Sequence, residues 1–326
     1  MNKNTQNKKL NILVILPHSI GGRLTTSSIL DGFVQNNCKV TKFDELKQPL
    51  SELKTLLKSS RFDFIVGYDF SAIKIKTELN LQIKTINYFS DEIDKPTAGV
   101  GFKELRKYLN DESNFTFYWD KELFLEEKKN VKNIFYQPHF VNTDIYKPIP
   151  TKIKYDMMFA GRLDTDYRLN FIVELAKESN FAWFAIEKHY IDALNRVNEE
   201  DKKVIQNCYK GFIDNESDMA QAINSSKIVI NMHSQGKSSF NYRTFQTMAC
   251  AKLLLSEYRR EAAELFGEKD LVFYKDLTDI KEKISHYLYN EVDYNEVIKN
   301  ARARIESDFN SQKCVNNMLQ IVQNKI

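Results

Sequence analysis

The chain has 326 residues, with 47 Lys and Arg against 44 Asp and Glu for a net charge of +3, and it is 42% hydrophobic and 28% charged. That length suits two domains with real cores, and so even a charge balance argues against a nucleic-acid partner. Cys38, Cys208, Cys250 and Cys314 form no CxxC pair, so they read as free thiols of a reducing, cytoplasmic setting rather than a disulfide frame or zinc site, and no apolar run approaches the ~18 residues of a membrane span.

Residues 1–9 are polar and basic and are expected to form a disordered tail. The tail's lysines could make a peripheral contact with an anionic membrane, although a solvated tail is the plainer reading. Residues 12–16 are apolar, β-branched and too short for a signal-peptide core, so they predict a first strand. Gly21-Gly22 predicts a tight turn, with a helix over 25–35 after it. Strands are then expected at 39–43, 62–66 and 83–88, with a helix at 50–58. A helix at 101–109, a strand at 115–119, a helix at 121–129 and a short strand at 134–136 complete one doubly wound α/β unit. Pro138, Pro148 and Pro150 cluster next, and polar residues 147–154 separate two periodic halves. The boundary is therefore drawn between residues 10–147 and 148–326.

Beyond it the alternation restarts, with strands at 157–160 and 181–186 and a helix at 169–178. A long helical period over 191–207, a short strand near Phe212 and a helix at 217–225 follow. Residues 227–257 then concentrate the chemistry. Ile228-Val229-Ile230 predicts a buried strand, His233 to Phe240 a polar loop, Tyr242 to Ala249 a helix, and Leu253-Leu254-Leu255 the next strand. The chain ends in a helix closed by Phe266-Gly267, a strand at 271–274 and helices at 280–289, 294–306 and 314–322.

A strand–loop–helix–strand unit belongs to a parallel sheet, whose ligands sit beyond the carboxyl ends of the strands. There this chain gathers His233, Lys237, Ser238, Ser239, Asn241 and Arg243, which suit an anion bearing sugar hydroxyls. Gly236-Lys237-Ser238 is similar to a phosphate-binding P-loop, but that motif needs a glycine where Asn231 stands. Asp91 follows the strand at 83–88 and is either a general base or, with Asp94, a cap. Asp164-Thr165-Asp166 resembles a DxD metal motif, but it precedes a helix, so Asp164 reads as an N-cap and no metal is assigned. His233 either hydrogen-bonds a ligand or is structural, and His139 reads as linker packing.

Three segments carry a family resemblance. Phe135-Tyr-Gln-Pro-His-Phe-Val-Asn-Thr-Asp-Ile-Tyr-Lys-Pro148 resembles the inter-domain signature of group 1 glycosyltransferases of the GT-B fold. Asp156-Met-Met-Phe-Ala-Gly161-Arg162-Leu163 resembles that family's first strand and phosphate loop of the second domain. Asn241-Tyr-Arg243-Thr-Phe245-Gln246-Thr-Met-Ala249 resembles its donor-binding helix. With Glu264-Leu265-Phe266 and residues 271–274, the pattern is similar to the spore-maturation (CgeB-like) branch. The resemblance covers residues 130–320 clearly and the first 130 loosely.

The resemblance implies an α/β chain of two Rossmann-like domains with a cleft between them, and the last helix packing back on the first domain. It implies donor contacts from Gly161, Arg162, Asn241, Arg243 and Gln246, and from Arg168 unless that residue is an exposed first-turn arginine; His233, at the end of the central strand, is a further donor-binding candidate. It also implies that His18, Gly21 and Gly22 lie near the donor phosphates and the acceptor, beside the simpler reading of a turn. The chain departs from the family at Gln246 and Ser239, where acids are usual, and at Ala251, where glycine is usual.

The expected activity is transfer of a sugar from a nucleotide-diphosphate sugar to a glycan, lipid-linked or protein acceptor, with retention and without a metal or other cofactor. The arginines and a helix start would carry the diphosphate charge. Two alternatives stay open: a sugar-nucleotide-binding or scaffold protein without turnover, motivated by Gln246 and Ser239, and a same-fold nucleotide-sugar epimerase.

Overall fold

Four consecutive apolar residues, Ile12 to Ile15, cannot alternate between core and solvent, so they need cover on both faces. The computed structural model, which describes residues 9–69, 71–89, 105–233 and 238–325, gives them that cover: all four are inaccessible to solvent. The described residues form two compact units, one lying within Met1–Asn142, Gln235–Ser239 and Asp308–Ile326, the other within Thr143–Ser234 and Phe240–Ser307. Where the sequence puts a boundary at Lys147–Pro148, the contacts divide the chain at Asn142–Thr143. The expected tail lies, but for Lys9, outside the described residues.

The first unit runs β1 (Asn11–Leu16), α1 (Ile20–Gln35), β2 (Lys39–Asp44), α2 (Leu50–Ser59), β3 (Phe64–Tyr68), α3 (Ser71–Glu78), β4 (Lys84–Phe89), α4 (Leu105–Leu109), β5 (Asn114–Tyr118), α5 (Lys121–Glu127) and β6 (Ile134–Tyr136). Its strands pair in parallel in the order β2-β1-β3-β4-β5-β6. The second unit runs β7 (Tyr155–Ala160), α6 (Asp166–Lys177), β8 (Phe181–Phe184), α7 (Glu187–Asn195), α8 (Glu199–Cys208), α9 (Glu216–Asn224), β9 (Ser226–Asn231), α10 (Tyr242–Ala249), β10 (Leu253–Glu257), α11 (Arg260–Leu265), β11 (Val272–Tyr274), α12 (Leu277–Tyr289) and α13 (Glu291–Asp308). Its parallel order is β11-β10-β9-β7-β8. The last helix, α14 (Ser311–Gln323), belongs to the first unit.

The sequence reading needs correction in four places. Gly21-Gly22 makes no separate turn: Ser19 caps α1, its Oγ accepting from Gly22 N at 3.1 Å, so both glycines lie in the first helical turn. At Gly22 a side chain would sit 2.6 Å from Ser19 Oγ and 2.8 Å from Tyr68. α3 went unpredicted because Ala72, Ile73 and Ile75 alternate with lysines like a strand, and because Lys76 is buried with them, held by Asn114 Oδ1 at 3.0 Å and Asp111 at 3.2 Å. The period over 191–207 splits into α7 and α8, since Asn198 caps the second helix ahead of Glu199, Glu200 and Asp201. Phe212 lies in no strand; the pairing nearby is an isolated bridge between Trp183 and Tyr209.

His139 is packed, as its place after Pro138 suggested. Its ring stacks on Trp119 at 4.7 Å and its Nδ1 lies 3.2 Å from the Tyr88 hydroxyl. Burial lowers its pKa to about 3, so the folded chain keeps it neutral. The four cysteines are all free and buried.

Three outcomes follow from this packing. α14 lies on α1 across Gly32, where a Cβ would stand 2.4 Å from Val315 Cγ2 and 2.6 Å from the Ser311 carbonyl. Gly32→Ala should therefore destabilise the first unit by about 1–3 kcal/mol in denaturant titrations, overriding the helix propensity alanine adds. Ala251 closes α10 with φ of 50°, a left-handed position that favours glycine. Ala251→Gly should stabilise the second unit by about 1 kcal/mol, read as a raised melting temperature. His139 binds its proton in the unfolded chain near pH ~6.5 but resists it when folded. The stability it lends is thus present above that pH and drains away as pH falls toward its folded value. His139→Phe should remove about 1.4 kcal/mol per pH unit from the acid slope between about pH 6 and pH 4.

Candidate donor site

The candidate residues of the second unit collect at the carboxyl ends of β7, β9 and β10. After β7, Gly161 N donates to the Phe184 carbonyl at 3.1 Å and the Gly161 carbonyl accepts from Trp183 Nε1 at 2.9 Å, which fixes the loop. Thr165, not Asp164, caps α6: its Oγ1 accepts from Arg168 N at 3.2 Å. Asp164 instead receives Arg168 Nη1 at 2.9 Å and stands 3.6 Å from Arg162 Nε. Burial opposes its charge, but the two arginines hold the carboxyl below its usual value. Arg162 is exposed, whereas Arg168 is buried over the Phe159 ring with Nε lacking a partner among the described residues.

β9 ends in a polar residue for a reason the sequence did not disclose. Asn231 Nδ2 donates to Thr244 Oγ1 at 3.0 Å and to Ser256 Oγ at 3.3 Å. Its Oδ1 accepts from Asn241 Nδ2 at 2.8 Å, and its carbonyl accepts from the Tyr274 hydroxyl at 3.0 Å. One asparagine thereby ties β9 to α10, β10 and β11. His233 continues the network, with Nε2 at 3.2 Å from Ser256 Oγ and its backbone N donating to Glu257 at 3.2 Å. Burial, then the charges of Arg259 and Arg168, lower its pKa to about 3, so it is neutral.

On α10, Arg243 Nη1 donates to Gln246 Oε1 at 2.6 Å, and Gln246 Nε2 donates to the buried Tyr146 hydroxyl. Arg243 makes no ion pair with any described residue, its Nε has no partner, and burial lowers its pKa. Arg302 closes the cluster from behind, donating to the carbonyls of Tyr146 (2.9 Å) and Ala249. Asn241, at the N-cap, makes no side-chain capping bond. Gln246 is thus engaged at both ends of its amide, and it orients Arg243.

In the first unit, His18 is exposed, 3.5 Å from Glu45, and Gly21 and Gly22 start α1 beside it. Asp91 and Lys237 lie outside the described residues. A residue the sequence reading passed over, Asp120, is wholly buried and receives Ser238 N at 3.0 Å, Ser239 N at 3.1 Å and Leu123 N at 3.0 Å. Tyr146 was in view as the aromatic of the inter-domain signature, and Asn231 as a polar break after an apolar strand. Asp120 offered only a cap position before the helix expected at 121–129, because its other two partners, Ser238 and Ser239, stand more than a hundred positions away. Among the described residues no group of three or more His, Cys, Asp or Glu is placed to hold a metal.

A family model described as glycosyl transferase-like matches residues 173–320. No curated protein matches the chain. Among solved structures, a sucrose-phosphate synthase from Thermosynechococcus elongatus is similar at TM-score 0.72 and 11% identity, over 97% of this chain and 99% of that one. A glycosyltransferase from Rickettsia africae is similar at 0.69 and 15%, over 98% and 99%. HepE from Anabaena, solved with UDP and glucose, is similar at 0.70 and 13%, over 96% and 99%. With its two parallel sheets, one in each Rossmann-like unit, the chain has the GT-B glycosyltransferase fold.

Proposed function

We propose that the protein is a glycosyltransferase of the group 1, spore-maturation type, moving a sugar from a nucleoside-diphosphate sugar to an acceptor hydroxyl. The second unit takes the donor and the first the acceptor. The observation that carries this reading is Arg243: a partly buried guanidinium without an ion pair among the described residues, on the helix that resembles the donor-binding helix. Such a charge is costly to hold out of water and becomes favourable when an anion arrives. Arg168, with its own unpartnered Nε, supplies a second donor, and the start of α10 adds its partial positive charge.

As the donor bond breaks, negative charge grows on the departing diphosphate, and these fixed donors favour that state over the bound donor. The reading needs no metal, since Asp164 is already committed to Arg168 and Arg162. Retention is what the group 1 resemblance implies, and Asp91 remains the residue assigned to take the acceptor proton. UDP is the nucleotide to try first, because HepE is solved with UDP and with UDP-glucose.

Calorimetric titration with UDP-glucose in excess EDTA, and again with manganese, tests the donor reading. Equal affinity in both is expected, and binding that needs manganese would overturn the metal-free form. Arg243→Ala should weaken binding about 10- to 100-fold, the worth of one or two charge-assisted hydrogen bonds. Transfer of labelled sugar to an acceptor, rather than binding alone, separates an enzyme from a scaffold.

A further inference from the structure

The polar network built on Asn231 leaves two buried acceptors unpaired among the described residues, beside the unpaired Nε donors of Arg168 and Arg243. Asn241 Nδ2 faces two oxygens, Asn231 Oδ1 at 2.8 Å and the Met232 carbonyl at 3.3 Å, so the amide can be placed only one way. Its Oδ1 is the atom left over. At His233 the bookkeeping runs through Ser256. The one proton of Ser256 Oγ goes to the Glu257 carbonyl at 3.3 Å, and its oxygen already accepts from Asn231. With the hydroxyl proton so placed, His233 Nε2, 3.2 Å away, is the donor, and Nδ1 of the neutral ring is a bare acceptor.

Unpaired buried acceptors cost about 1–3 kcal/mol each. Phosphate oxygens cannot satisfy them, because an ionised phosphate has no proton to give. A hydroxyl can. In a nucleoside-diphosphate sugar the hydroxyl nearest the diphosphate is on C2 of the sugar, one carbon from the phosphate-bearing carbon; the nearest on the ribose is one carbon further. His233 follows β9 and Arg168 sits in the first turn of α6 after β7, the neighbouring strand, so the histidine and a cation assigned to the diphosphate share the carboxyl end of one sheet.

We infer that His233 Nδ1, with Asn241 Oδ1 as second acceptor, receives hydroxyl protons of the transferred sugar and so sets which sugars are accepted. The inference rests on the donor reading above. It makes His233 a reader of sugar hydroxyls, not a phosphate ligand or an acid–base group.

The test compares UDP with UDP-glucose by calorimetry on the full chain. His233→Phe should weaken UDP-glucose about tenfold, one hydrogen bond's worth, and leave UDP within about twofold. His233→Asn, which keeps an acceptor near the Nδ1 position, should recover most of the loss. Nitrogen NMR of the wild-type histidines, assigned with the His233→Asn spectrum, should show His233 protonated at Nε2 and bare at Nδ1. Equal losses for UDP and UDP-glucose would place the nucleotide there and overturn the inference, as would no loss for either, which would mean a buried water alone. A ring protonated at Nδ1 would overturn it independently. If the wild type binds neither probe, the donor reading itself falls.

Discussion

A guanidinium drawn partly out of water, with no carboxylate paired to it among the described residues, governs the arrangement around α10. Desolvating such a charge costs several kcal/mol unless its hydrogen bonds are met. Arg243 meets one of them on Gln246, whose amide is held in turn by Tyr146. Neither neighbour is ionised, since burial drives the tyrosine pKa upward and an amide carries no charge. A glutamate at position 246 would orient Arg243 equally well but would cancel its charge. The glutamine orients without cancelling, so the departure from the family pattern reads as a stronger cation rather than as a lost contact. The charge left uncompensated in the resting protein is the charge available to a ligand.

Much of the fold was legible because parallel sheets covered on both faces demand long apolar runs, and residues 12–15, 228–230 and 253–255 are such runs. Helices with a hydroxyl or amide at the start were legible in existence but not in boundary. Ser19 moved the start of α1 back over two glycines, and Asn198 divided one helical period into two. α3 escaped because a lysine lies on its buried side, matched by polar partners 35 and more positions away. Periodicity registers which residues are apolar; it cannot register a buried charge that has found its partners elsewhere.

The candidate site divides in the same way. Arg162, Arg168, Asn241, Arg243 and Gln246 were legible as types at the ends of predicted strands and at a helix start. What each one does was not. Asp164 looked like a cap because it precedes a helix, yet Thr165 caps and Asp164 clamps two arginines. His233 looked equally suited to a ligand's phosphate or base or to packing, and its bond to Ser256 is a contact the sequence does not display. Roles of this kind depend on how many donors and acceptors meet in space, and a linear sequence does not carry that count.

Asp120 has a consequence of a different kind. Its carboxylate caps α5 through Leu123 N and at the same time takes the amides of Ser238 and Ser239, four and three residues ahead of α10. Bonds to amides fix where the backbone runs while leaving open which side chains it bears, except where Ser238 also lends its hydroxyl. A loop anchored in this manner can change its chemistry without changing its course. Over evolutionary time the side chains just before α10 are then free to vary, whereas Asp120, far off in sequence, is not. Related chains should vary at these two positions and keep an acidic or amide acceptor at the start of α5.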